Sequence, residues 1–120
     1  MLQILSAEGR RFRNTVIWSL QGWVAAWASE KTLRQWTLVQ AISVSLACWL
    51  DIEPAERAVI IGLGFVLLAA ELMNTGIETA VDYISLESHP LARKAKDCGS
   101  AAVALSAIAG GAAWLVVLIG

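Results

Sequence analysis

Charge is scarce in this chain. Only 16% of its 120 residues are Asp, Glu, Lys or Arg, and the formal net charge is −1. That balance excludes a nucleic-acid binder, which would present a basic face. The soluble nucleotide-binding signatures are missing too: there is no G-x-x-x-x-G-K-[ST], no kinase Gly-rich loop, and no H-R-D or D-F-G. Met1 to Arg13 lacks the apolar core of a signal peptide, and three arginines follow its short apolar start. Cysteine is limited to Cys48 and Cys98. The span assignment below puts them at opposite ends of their spans, too far apart for a disulfide within one subunit, so both read as small apolar fillers.

What the chain has in excess is apolar surface. Hydrophobic residues make up 58% of it, against about 45–50% in ordinary globular domains. They gather in three runs, Trp36 to Leu50, Ala58 to Val81 and Cys98 to Ile119, and the last has no charge at all. A soluble helical bundle has no need of such a run. The reading is an all-α integral membrane protein, one domain over 1–120, with spans at about 32–50, 57–82 and 98–119.

Charge placement orients these spans. Arg10, Arg11, Arg13, Lys31 and Arg34 precede the first, and Arg93, Lys94 and Lys96 separate the second from the third. Only Arg57 lies on the other side, beside Asp51, Glu53 and Glu56. The positive-inside rule places the N-terminus and the 83–97 loop in the cytoplasm, and the C-terminus outside. Trp36, Trp49 and Trp114 fall near span ends, where indoles are favoured. Arg10, Arg13, Arg93 and Lys94 read as anchors to anionic headgroups. Pro54 helps separate the first two spans.

Before the spans, Phe12, Val16, Leu20, Trp23 and Trp27 form one helical stripe, with Arg11, Asn14, Gln21 and Ser29 largely opposite. This predicts an amphipathic helix over about 8–29, lying in the headgroup plane. Small residues crowd the third span, and Gly62, Gly64, Gly110 and Gly111 read as packing positions.

The second span carries acids that a bilayer should not tolerate. Taking Glu71 as zero at roughly 100° per residue, Asn74 falls near 300°, Glu78 near 340° and Asp82 near 20°. These four share one narrow stripe. An ionisable group inside a membrane helix marks a functional site by default. Counted from Arg57 at 1.5 Å per residue, Glu71 lies about 21 Å in and Glu78 about 31 Å. Glu71 is therefore still in hydrocarbon near the cytoplasmic boundary, while Asp82 ends the stripe in water. Glu30, Lys96 and Asp97 flank the inner ends of the other spans. Five carboxylates and a lysine converge on one membrane face.

Such carboxylates repel one another and call for cations. Oxygen-only ligands suit Mg²⁺, whose remaining positions go to water and phosphate oxygens. A lysine among them suits a nucleotide's phosphates. A deeper carboxylate is placed to accept a proton. The arrangement predicts phosphoryl transfer from a cytosolic nucleotide to a lipid hydroxyl. A thin three-helix bundle cannot shield the stripe on every side, which points to an oligomer. Two other classes fit the same residues: a small ion- or proton-coupled transporter, and a structural membrane scaffold.

The runs E-L-M-N-T-G-I-E-T-A-V-D (Glu71 to Asp82) and E-S-H-P-L-A-R-K-A-K-D (Glu87 to Asp97) resemble the two signatures of the prokaryotic diacylglycerol kinase family. The A-A-W-A-S-E run ending at Glu30, the Arg34–Gln35 pair and A-C-W-L-D at 47–51 match as well. The resemblance implies a homotrimeric inner-membrane kinase of bacteria, with active sites shared between subunits. It implies Glu71 as the catalytic base, and Glu30 and Glu78 as carboxylates holding the divalent cation, Mg²⁺, that bridges the ATP phosphates. Lys96 resembles the phosphate-contacting lysine. Arg11, Trp18, Glu87, His89 and Asp97 match further nucleotide contacts, and Trp18 stands where a tyrosine is expected. Asn74 matches a residue that orients the site; Ser100 and the run Thr15 to Leu20, with Ser19, would border the lipid. A close branch of the family phosphorylates undecaprenol; the A-C-W-L-D stretch leans to diacylglycerol.

Overall fold

The computed structural model describes every residue, Met1–Gly120. It is all-helical, with α1 Leu2–Ser29, α2 Lys31–Trp49, α3 Pro54–Ile84 and α4 Pro90–Ile119. The helix expected over about 8–29 starts six residues earlier, at Leu2. Leu2, Ile4 and Leu5 extend it with apolar side chains left exposed. Two helices, α3 and α4, are long and apolar enough to cross a membrane; α2 is not among them. Gln35, Thr37, Gln40, Ser43 and Ser45 dilute its apolar character.

Each break has a local cause. A single residue, Glu30, separates α1 from α2 by turning extended (φ −108°, ψ 104°). The Arg34 guanidinium donates to the Trp27 carbonyl and so satisfies a group that the end of α1 leaves free. Pro54 and Pro90 each occupy the first turn of a helix, where a missing N–H costs nothing. The Glu56 carboxylate accepts the Glu53 N–H at 3.0 Å ahead of α3. The His89 imidazole does the same work for α4, accepting the Leu91 N–H on Nδ1 at 3.1 Å.

The molecule measures 51 × 46 × 23 Å, a plate about two helix diameters thick. Helix α3 is its spine, packed most extensively on α4 and next on α2. Helix α1 meets α2 and α3 but not α4. The small core sits where α1, α2 and α3 join: Ala26, Leu33 and Leu68, with Trp23, Trp36 and Leu72 against them. Trp36 is thus partly buried against this core. Trp114 is tied down too, donating from Nε1 to Ser43 Oγ at 2.8 Å and joining α4 to α2. Trp49 stays exposed at the end of its helix.

Of the four glycines read as packing positions, only Gly64 is one within the chain. A methyl there would overlap the Gln40 side chain, whose Nε2 donates to the Ile61 carbonyl at 3.1 Å. Around Gly62, Gly110 and Gly111 there is open space. Cys48 and Cys98 are free thiols, both exposed. They do not fill gaps inside the chain.

At the opposite end of the plate Arg57 closes the α2–α3 turn. It was expected among Asp51, Glu53 and Glu56, but its guanidinium is spent on backbone. Nε donates to the Ala47 carbonyl at 2.7 Å, and Nη2 lies 3.3 Å from both the Leu50 and the Ile52 carbonyls. Arg57→Ala is expected to lower stability by roughly 2–3 kcal/mol, because its charge-assisted hydrogen bonds to the Ala47, Leu50 and Ile52 carbonyls disappear. Arg57→Lys should recover only part of this, since an ammonium lacks the planar fork. The midpoint of denaturant unfolding in micelles measures it; an unchanged midpoint for Arg57→Ala removes the stapling role.

Candidate active site

Three elements position the acids. Glu71 lies mid-way along α3, beside core residues Leu68 and Leu72, and is only 4% exposed. Glu30 is the extended residue between α1 and α2, half-buried, with Ser29 Oγ donating to its Oε1 at 3.2 Å. Glu78 lies two turns beyond Glu71 on the same helix. Its Oε1 accepts from Asn74 Nδ2 at 3.4 Å. The charges of Glu30 and Glu78 both reach Glu71 within a single chain.

Two members of the α3 stripe, Asn74 and Asp82, meet α4. Gly99 is buried, and a methyl at that position would run into Asn74 Oδ1. The missing side chain lets Asn74 lie against the α4 backbone. Asn74 Oδ1 is itself buried without a hydrogen-bond partner. Such an atom is costly unless something fills its lone pair. At the end of the stripe Asp82 Oδ1 accepts from Lys96 Nζ at 2.7 Å. Glu71 is thus buried by its own chain and needs no neighbouring subunit to shield it.

The loop between α3 and α4 forms a second feature. Asp82, Glu87, His89, Arg93 and Lys96 line one cleft of about 180 Å³. Three of the residues assigned to the nucleotide from sequence, Glu87, His89 and Lys96, therefore meet. Because His89 accepts on Nδ1, its neutral ring carries the proton on Nε2. Asp97 is not in this cleft; it pairs with Arg93 at 3.9 Å on the exposed surface of α4. Ser100 is exposed on the same helix.

The α1 residues remain apart. Arg11 pairs with Glu8 at 3.2 Å, both exposed. Thr15 and Ser19 turn their hydroxyls back onto the carbonyls of Arg11 and Thr15, at 3.0 and 2.8 Å. Trp18 is exposed. Since α1 does not touch α4, one chain does not bring these groups to Lys96. Sequence reasoning missed Gly99 as a site-shaping position and treated Asp82 as the mere end of a stripe. The signal for both lay in the reach of α3 against α4, which periodicity on one helix cannot reveal.

No three Asp, Glu, His or Cys side chains of one chain come close enough to hold a metal between them. The available donors are carboxylate oxygens in ones and twos. That fits Mg²⁺, which keeps several waters and takes one or two carboxylates together with substrate phosphates.

An apolar helical plate with two membrane-length helices and a buried acid is consistent with a helical membrane protein. Residues 17–118 match the family described as prokaryotic diacylglycerol kinase. The chain is 41% identical over 113 residues to a diacylglycerol kinase of Pseudomonas aeruginosa, covering 92% of this chain and 90% of that one. It is 37% identical over 101 residues to a diacylglycerol kinase of Escherichia coli K12, covering 84% and 83% of the two chains. A diacylglycerol kinase of Helicobacter pylori is 37% identical over 93 residues, 78% of this chain and 73% of that one. The chain belongs to the prokaryotic diacylglycerol kinase family, and it is a lipid kinase.

Proposed function

We propose that the chain transfers the γ-phosphate of ATP to the primary hydroxyl of 1,2-diacylglycerol, giving ADP and phosphatidate at the cytoplasmic face of a bacterial inner membrane. One observation carries the site assignment: an almost fully buried glutamate, Glu71, under the charges of two less buried ones, Glu30 and Glu78. An acid in that position costs too much to be idle. Glu71 takes the proton of the lipid hydroxyl. Its burial holds it fixed and excludes water from the hydroxyl it faces.

Glu30 and Glu78 would hold Mg²⁺, which when bound neutralises the triphosphate. Asn74 orients Glu78. Lys96, Glu87 and His89 receive the nucleotide from the cytosolic cleft. Helix α2, at 19 residues, is about 28 Å long and completes a third span beside α3 and α4. Helix α1 rests at the inner headgroups with its apolar stripe in lipid. The N-terminus is then cytoplasmic and the C-terminus periplasmic. Arg11, Trp18, Asp97, Thr15, Ser19 and Ser100, dispersed in one chain, complete a site when a homotrimer places one copy's α1 beside another's α4.

ADP release in detergent micelles, with and without diacylglycerol and Mg²⁺, tests the reading. Turnover should need both. Release that is equal with and without the lipid, or faster with undecaprenol than with diacylglycerol, would overturn the assigned acceptor.

A further inference from the structure

Three ion pairs occur in the chain. Two are one-turn pairs along a single helix, Glu8–Arg11 on α1 and Arg93–Asp97 on α4. The third, Asp82–Lys96, is the shortest and the only one that joins two helices. Its side chains are 47% and 39% exposed. A pair that open to solvent contributes little to stability, so holding α3 to α4 does not account for it. The packing of those helices already does that.

Lys96 is also the cation that lines the α3–α4 cleft together with Glu87 and His89. An ammonium carries three protons. One is given to Asp82 Oδ1, and Lys96 has no other hydrogen-bond partner in the chain. A lysine left alone on its four-carbon stem samples many rotamers, and a ligand that needs it must first order it. Here the ordering is done beforehand by a carboxylate on the neighbouring helix. The remaining two protons stay free for another anion.

We propose that Asp82 is a positioning residue: it fixes the Lys96 ammonium at the cleft so that the charge is in place for the phosphoryl group as it moves. This rests on the kinase reading above. The carboxylate has no reason to touch the nucleotide, because two anions side by side repel. It acts through the lysine. Asp82 also closes the acidic stripe of α3, so the same helix face carries the buried acid at one end and the lysine's anchor at the other.

Turnover of Asp82→Asn in diacylglycerol micelles tests this. Expected is a fall of about tenfold in kcat/KM for Mg-ATP, because the phosphates must then order the lysine themselves. Asp82→Glu should restore most of the rate, and the unfolding midpoint of Asp82→Asn should match wild type. Lys96→Gln should lower kcat/KM for Mg-ATP further, and adding Asp82→Asn to it should do nothing more, as for two residues acting as a unit. Full turnover in Asp82→Asn, or the same proportional loss in both backgrounds, overturns the role. If Lys96→Gln has no measurable turnover, the rescue by Glu decides alone; no rescue overturns it. Wild-type protein that releases no ADP removes the kinase reading and this role with it. Active wild type beside fully active Asp82→Asn removes only the role.

Discussion

Glu71→Gln protein is expected to release ADP at no more than about one part in 10²–10⁴ of the wild-type rate, the range that positioned general bases supply. Its Mg-ATP affinity should stay within about threefold of wild type, because the proposed role sets the carboxylate against the lipid hydroxyl and not the phosphates. Glutamine keeps the size and one acceptor oxygen but cannot take up a proton. The site should survive the change in shape. Glu71 is 4% exposed and lies under the charges of Glu30 and Glu78, so exchanging it for a neutral amide removes a repulsion rather than a support. Stability should hold or rise. Turnover and binding of a non-hydrolysable ATP analogue, measured on one preparation, separate the two effects. Normal turnover would show that Glu71 is not the base; loss of nucleotide binding would show that it belongs to the phosphate side.

Glu78→Gln and Glu30→Gln should fail in the opposite way. Both are expected to raise the Mg²⁺ concentration needed for half-maximal turnover by at least roughly tenfold. Even groups one shell beyond a metal change its affinity by about 10–100-fold. Glu78 is the more sensitive of the two. Asn74 Nδ2 donates to its Oε1 at 3.4 Å and so limits its rotation, whereas Glu30 sits at a helix break and its carboxylate accepts only from the neighbouring Ser29 Oγ. Titration of ADP release with Mg²⁺ at fixed ATP measures the shift. An unchanged Mg²⁺ requirement in both variants would rule out the ligand role. A loss that saturating Mg²⁺ and ATP repair would support it, because a missing ligand weakens binding without removing the chemistry.

The acidic stripe was readable because it obeys one helix's periodicity. Glu71, Asn74, Glu78 and Asp82 must share a face whatever surrounds them. What each member meets was not readable. Asn74 lies on Gly99 and Asp82 on Lys96 because α4 runs back along α3, and the separations of 25 and 14 residues follow from loop length and helix ends, not from a repeating pattern. Trp36 is instructive. Its position near a span end suited an interfacial indole; it also packs against the Ala26, Leu33 and Leu68 cluster, since the break at Glu30 folds α1 and α2 around one small core. The same break places Glu30 near Glu71.

Sequence by itself determined the helical class, the membrane-type apolar runs of α3 and α4 and the shared face of the acids, since burial in lipid and the 3.6-residue repeat act along a single segment. Tertiary structure alone decided how deeply Glu71 is buried and which helix Lys96 is tied to. It also decided that Arg57 serves the backbone of the α2–α3 turn. Those outcomes depend on how close two helices approach, which small residues such as Gly64 and Gly99 permit, and no single segment contains that distance.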